Sequence, residues 1–256
     1  MPAPDRRLRQ DLRHAVAGAE LQLHFHPRRA LQDGALLGAE AQLRWPRRAG
    51  SLSPAALWPL LYSLGLTQQA LSWMLAEACA AAATWPTGRL FITLPLPAPP
   101  HAQMLPAIGQ ALATSALPPD RLVLALPEPA LTQECESTLL CLAALRDQGL
   151  GFELDNFGAT TAALLPLTRL PLTGLKLDRT LLPALHQHPG APALLSAALH
   201  MAAATGLEVT ACGVETATQH AWLRQQGCTA AQGSLCGRHD APWPHAAAPC
   251  AIRLAA

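Results

Sequence analysis

An α/β fold, a (β/α)8 TIM-like barrel, is the architecture the sequence predicts, on three observations. Eight short apolar runs alternate with helix-like segments from about residue 20 to residue 237, the chain has 256 residues, and no Gly/Ser linker or shift in composition divides it. That length and rhythm suit eight strand–helix repeats closed into one barrel, with the functional face at the C-terminal ends of the strands. A doubly wound open sheet is the alternative. Against it, no G-x-G-x-x-G follows the first strand and no G-x-x-x-x-G-K-[ST] occurs anywhere, so the usual phosphate loops of dinucleotides and nucleoside triphosphates are missing.

In chain order the predicted strands are 21–26 (LQLHFH), 37–45 (LGAEAQLRW), 89–94 (RLFITL) and 121–126 (RLVLAL), then 151–154 (GFEL), 174–177 (GLKL), 208–212 (EVTAC) and a weak one at 229–232. Ser53-Pro54 reads as an N-cap followed by Pro at the first helical position, and Gly65 as the stop of that helix. A second helix runs from Thr67 to Thr84, and others fit 102–115, 136–148 and 191–205. Thr216 with Gln219 three residues on has capping-box spacing, and Gly227 closes that helix. Residues 1–19 form a helical lead-in, 20–240 the barrel, and 241–256 an irregular, Pro-rich tail. His239, Asp240 and His245 in and before that tail read as solvated residues rather than metal ligands.

Apolar residues make up 50% of the chain and charged residues 14%, enough to bury a large core. Pro, Arg or Gln interrupts every long apolar run before the roughly 18 to 20 residues a membrane helix needs, so no membrane span is expected. The basic N-terminus lacks a following apolar region, which points to a cytoplasmic protein. A net charge of +1 gives no bulk attraction to DNA, RNA or acidic membranes. Seven cysteines at irregular intervals, with no C-x-x-C, argue against a disulfide framework or structural zinc.

The polar residues at or just beyond the predicted strand ends are Glu40, Arg44, Thr93, Glu128, Asp155, Asn156, Lys176, Asp178, Cys212, Glu215 and Gln232. In a barrel they converge on one face. Two stand out by composition: Lys176 is the only lysine of the chain and Asn156 its only asparagine.

Five segments in order carry a family resemblance. GAEAQLRW (38–45) resembles G-A-E-A-L-L-R-W, LDNFGAT (154–160) resembles L-D-D-F-G-T-G, and LKLDR (175–179) resembles L-K-I-D-R. CGVET (212–216) resembles E-G-V-E-T, and AQGSLCGR (231–238) resembles A-Q-G-Y-L-F-G-R. Across about residues 9 to 240 the chain thus resembles an EAL domain, the cyclic di-GMP phosphodiesterase family. The resemblance implies a barrel of the EAL type and hydrolysis of one phosphodiester by two divalent cations held on clustered carboxylates.

The departures fall on those ligands, which makes this a degenerate EAL sequence. Glu40 and Asp155 are retained as remnant metal ligands, while Thr93, Ala125 and Asn156 replace the family's asparagine, glutamate and second aspartate. Cys212 stands at the position similar to the family's proposed general base. Of five acids at these positions two remain. Cys212 reads as inert, having no His or Cys at metal-binding spacing. Glu128, Lys176, Asp178, Glu215 and Gln232 survive, whereas Gln42 replaces the leucine of E-A-L and Thr160 a glycine of the loop after Asp155. Glu153 is the one compensating acid, and it lies a pleat too deep to reach the metals.

The expected function is regulatory, by one of two routes. The first is binding of an unidentified regulatory protein; apolar Leu57, Trp58, Leu61 and Trp73 are a candidate outer surface, although apolar residues at helical spacing more often face a core. The second is metal-free sensing of cyclic di-GMP, with Arg44, Lys176, Gln232 and His26 as ligand contacts; the opposed reading of Lys176 pairs it with Asp155 or Glu40. A homodimer is a further expectation. No cofactor is expected; Mg²⁺ or Mn²⁺ enters only under the alternative, a weak phosphodiesterase giving linear pGpG with Glu40, Asp155 and Glu128.

Overall fold

The computed structural model describes residues 6–18, 20–47, 50–95, 104–127, 136–159 and 165–237. Eight strands close a barrel in sequence order. They are β1 (Gln22–Ala30), β2 (Leu36–Arg44), β3 (Arg89–Thr93), β4 (Leu122–Pro127), β5 (Gly151–Phe157), β6 (Gly174–Leu177), β7 (Glu208–Cys212) and β8 (Ala230–Gln232). Around them lie α1 (Arg6–Ala17), α2 (Pro54–Ser63), α3 (Thr67–Ala83), α4 (Leu105–Ser115), α5 (Glu136–Asp147), α6 (Leu181–Gln187), α7 (Ala191–Ala204) and α8 (Ala217–Gln225).

One departure from eight like repeats concerns β1, which runs antiparallel to both β2 and β8, while β2 through β8 are parallel. A tight turn joins β1 to β2, with Asp33 Oδ1 accepting from the Ala35 N–H at 2.9 Å and Gly34 at φ 73°. The sequence ends the first strand at residue 26 because Pro27 cannot donate to a ladder. The strand nevertheless continues, with Pro27 opposite Ala39 and an irregularity in register after Arg28. The seam between β1 and β8 rests on two register pairs, Arg29 with Ala231 and Ala30 with Ala230. Arg29 stitches it, donating from Nε to the Cys236 carbonyl at 2.9 Å and from Nη1 to the Gly34 carbonyl at 3.0 Å.

Most helix boundaries follow the residue chemistry. Pro54 opens α2 and Gly65, at φ 70°, stands beyond its end. Thr216 and Gln219 form the capping box of α8: Thr216 Oγ1 accepts from the Gln219 N–H at 3.2 Å, and Gln219 Oε1 accepts from the Thr216 N–H at 3.1 Å. The short α6, with Pro183 near its start, was not expected from the sequence. Gly38 heads the GAEA segment because nothing larger fits: a Cβ there would lie 1.9 Å from the Arg89 carbonyl oxygen of the neighbouring strand.

The core is the apolar layer between strands and helices. Leu90, Ile92, Leu122, Leu124, Phe152 and Leu154 point outward from the sheet and meet Leu75, Ala78, Ile108 and Leu142 of the helices. Leu12 and Ala15 of α1 are fully buried in the same cluster. Leu57 and Leu61 are also fully buried, and Trp58 and Trp73 are half-buried against the core. Of the two readings of these four residues, an outer apolar surface or a core face, they take the core face that their helical spacing favours. No helix is long and apolar enough to cross a membrane among the described residues.

Candidate ligand site at the mouth of the barrel

Inward-facing positions in the middle of β2 and towards the C-terminal ends of β3, β5 and β6 bring Glu40, Thr93, Asp155 and Lys176 together. Lys176 Nζ lies 2.8 Å from Glu40 Oε2 and 3.2 Å from Asp155 Oδ1, with all three side chains buried. Thr93 Oγ1 stands between the same acids, 3.1 Å from Glu40 Oε1 and 3.4 Å from Asp155 Oδ2. The Asn156 N–H donates to Asp155 Oδ1 at 3.0 Å. The geometry of Lys176 is thus that of an internal pair with both acids.

The two carboxylates feel this cluster differently. Burial pushes Glu40 upward, but the charge and hydrogen bond of Lys176, with Arg28 and Gln232 beside it, outweigh burial and hold it at about 2. Asp155 is raised: burial dominates, and the neighbouring Glu40 and Glu153 oppose the help of Lys176. Burial would lower Lys176, yet Glu40 and Asp155 keep it well above its ordinary value, so it stays an ammonium. Burial pushes the Cys212 thiol up to about 12 against the opposing pull of Lys176, leaving a neutral S–H 3.9 Å from Gln232 Oε1.

Asn156 occupies a left-handed conformation at φ 56° and is exposed. The β5–β6 register breaks between Leu154 and Phe157, so Asn156 sits in a bulge, a backbone state that asparagine tolerates better than most residues. Ala125 is buried in β4 and offers no ligand atom.

A cavity of about 790 Å³ opens above the cluster. Lys176, Arg44, Arg179 and His26 line it on the polar side, Trp58, Pro59, Met74 and Leu94 on the apolar side. Arg44 donates from Nη2 to Gln42 Oε1 at 3.2 Å, tying the residue that replaces the leucine of E-A-L to the cavity wall. An adjoining lobe of about 330 Å³ adds Cys212, Asp178, Glu215 and Gln232. Asp178 Oδ1 accepts from the Thr180 N–H at 2.8 Å, and the Glu215 N–H donates to Gln219 Oε1 at 2.9 Å, so both serve loop geometry. Glu128, Thr160, His239, Asp240 and His245 lie outside the described residues. Among the described residues no three His, Cys, Asp or Glu side chains come together in a way that could hold a metal ion.

One buried pair escaped the sequence reading. Arg28 donates through Nη1 and Nη2 to both oxygens of Glu153, at 2.6 and 2.8 Å, beneath the mouth. Its signal was the period-2 alternation that carries β5 inward from Asp155 to Glu153; ending β1 at Pro27 hid Arg28.

Residues 9–239 match the EAL domain family. The chain belongs to that family. The bifunctional diguanylate cyclase/cyclic di-GMP phosphodiesterase MucR of Pseudomonas aeruginosa is 32% identical over 237 residues, covering 90% of this chain and 35% of MucR. Cyclic di-GMP phosphodiesterase RocR of the same organism is 28% identical over 234 residues, covering 89% of this chain and 59% of RocR. This EAL chain spans about a third of the length of several such relatives. A solved structure of the PaMucR phosphodiesterase in complex with c-di-GMP matches at a TM-score of 0.85 and 32% identity, covering 91% of this chain and 96% of that one. The FimX EAL domain from Pseudomonas aeruginosa bound to c-di-GMP shares the fold, with a TM-score of 0.78 at 23% identity over 87% of this chain and 92% of that one.

Proposed function

We propose that this EAL domain is a degenerate member of its family that binds cyclic di-GMP without a divalent cation and leaves it intact, acting in regulation through a protein partner. The observation that carries the reading is the position of Lys176, whose ammonium already bonds both retained acids. With Arg44 and Arg179 the larger cavity carries three fixed cations against two carboxylates, while Asp178 and Glu215 belong to the adjoining lobe, so a phosphate is expected on the side of the larger cavity. The volume and the apolar wall around Trp58 suit the bases of such a ligand. That MucR was solved with c-di-GMP on the same barrel adds to this reading.

The residues present do not fit a pair of Mg²⁺ or Mn²⁺ ions. Two divalent cations bring four charges and need several anionic oxygens to offset their repulsion. Here Glu40 and Asp155 are shared between Lys176 and Thr93, Ala125 has no donor atom, Asn156 is neutral, and the Cys212 thiol is protonated. With its thiol pushed up to about 12, Cys212 cannot take a proton from water at neutral pH, so that position supplies no base for hydrolysis.

Calorimetric titration with cyclic di-GMP, first in EDTA and then with Mn²⁺, tests this, with the recovered nucleotide assayed for linear product. Binding at micromolar or tighter affinity in EDTA, weakened by Arg44→Ala and with product absent, is the expected result. Linear product, or binding only with Mn²⁺, overturns it.

A further inference from the structure

Beneath the mouth, the barrel interior holds a second ion pair that does not line the ligand cavity. Arg28 and Glu153 are only 2% and 3% exposed, and the Arg28 guanidinium also lies 3.5 Å from the centre of the Phe91 ring. On β5, Glu153 is two residues from Asp155 and shares its inward face; on β1, Arg28 is two residues from His26, the register partner of Glu40. The pair therefore forms the layer directly under the mouth cluster.

A buried ion pair is weak evidence for stability, because an apolar pair of similar volume is often as stable. Its role is better sought in charge. Among the described residues the interior contains three carboxylates, Glu40, Asp155 and Glu153, and two cations, Lys176 and Arg28. Lys176 bonds the mouth acids, and among the described residues the hydrogen-bonded counter-ion of Glu153 is Arg28. We propose that Arg28 is a charge-setting residue of the ligand site: by neutralising Glu153 it lets the mouth accept a phosphodiester dianion with no divalent cation. This rests on the metal-free binding reading above. Arg28 acts without touching the ligand, through its pair with Glu153 and through its charge near Glu40. A bare carboxylate in that layer, with little water between, repels phosphate strongly enough to weaken binding about 10-fold or more.

The test uses wild type, Arg28→Met, Glu153→Gln and the double variant Arg28→Met/Glu153→Met, titrated with cyclic di-GMP in EDTA. Arg28→Met is expected to bind about 10-fold or more weakly than wild type. Glu153→Gln, which leaves the cation, is expected to bind more tightly than wild type, and the double variant, as charge-balanced as wild type, to match wild type. A merely structural role predicts no gain in Glu153→Gln and no recovery in the double variant. Wild-type affinity in Arg28→Met, or weaker binding by Glu153→Gln, overturns the proposal; where Arg28→Met does not fold, the sign of the Glu153→Gln change decides. Failure of wild type to bind the nucleotide sinks the reading of function instead. The charge argument is then read from the Tm with inorganic pyrophosphate in EDTA: a larger rise in Glu153→Gln than in wild type upholds it, and an equal or smaller rise overturns it.

Discussion

Ala125 on β4 and Glu153 on β5 are register partners across neighbouring strands. The position where the family resemblance places a glutamate is thus empty of charge, and the residue beside it carries a carboxylate that Arg28 holds in the interior. The pair behaves as a charge moved sideways by one strand, and this relationship sets what reconstruction of the site requires.

Ala125→Glu alone puts a second carboxylate next to Glu153 in a packed layer, and a stability loss of about 1–3 kcal/mol is expected. Combining it with Glu153→Ala lets the new acid face Arg28 and should recover part of that loss. Urea denaturation of the two single variants and the double variant measures the coupling. Strict additivity would refute the exchange.

Lys176→Met leaves Glu40 and Asp155 buried without their shared cation, and breaking such a cluster costs about 3–5 kcal/mol. The loss is expected to shrink in mild acid, where Asp155, already raised by burial, takes up a proton. Urea midpoints at pH 7 and pH 5 give the comparison. An equal loss at both pH values would show that packing, not charge, is at stake.

Glu40 is held at about 2, well below its unfolded value. Its contribution to stability is therefore fully present above about pH 4.5 and is lost as the pH falls towards 2. Asp155 has the opposite sign, since its raised value makes the ionised form cost stability above that value. Glu40→Gln should flatten the acid limb of the stability curve, and Asp155→Asn should leave that limb as steep as in wild type. Thermal denaturation between pH 2 and pH 7 distinguishes the two.

Burial raises Cys79, Cys212 and Cys228 to about 12. In a background with Cys135 and Cys250 replaced by Ser, the native protein at pH 8 is expected to resist alkylation and to react fully only when unfolded. These thiols stabilise the fold below about pH 9, and that contribution is lost as the pH rises towards 12. Mass spectrometry after iodoacetamide treatment reads each site; fast native labelling of Cys212 would contradict its neutral state.

Much of the fold was legible because its signals are local. Apolar runs bounded by turn residues placed all eight strands, and Thr216 with Gln219 announced a helix start that the hydrogen bonds realise. Strand direction was not legible: the turn at Asp33-Gly34 that reverses β1 lies between two runs that read alike in either direction. The mouth residues Glu40, Thr93, Asp155 and Lys176 were legible as polar residues at strand ends, a position that a barrel makes convergent. Glu153 was legible as an inward acid one pleat deeper, but its partner Arg28 was not, because the two are 125 residues apart and Arg28 lies beyond a proline. Leu57 and Leu61 show the converse, since periodicity identifies an apolar face without saying what covers it.

The narrow seam between β1 and β8 gives the barrel a built-in order of assembly. Its two register pairs and the Arg29 stitch to Cys236 join segments 200 or more residues apart, so closing the cylinder there carries the largest loop-closure cost of any strand pairing and is expected late in folding. Amide hydrogen exchange in the native protein is accordingly expected to be fast at the seam, at Ala230–Ala231 and at Leu31, whose N–H donates to the Thr229 carbonyl at 3.1 Å. The ring opens like a clasp at one point, and His26, on the strand that carries half of that clasp, ties the ligand cavity to it.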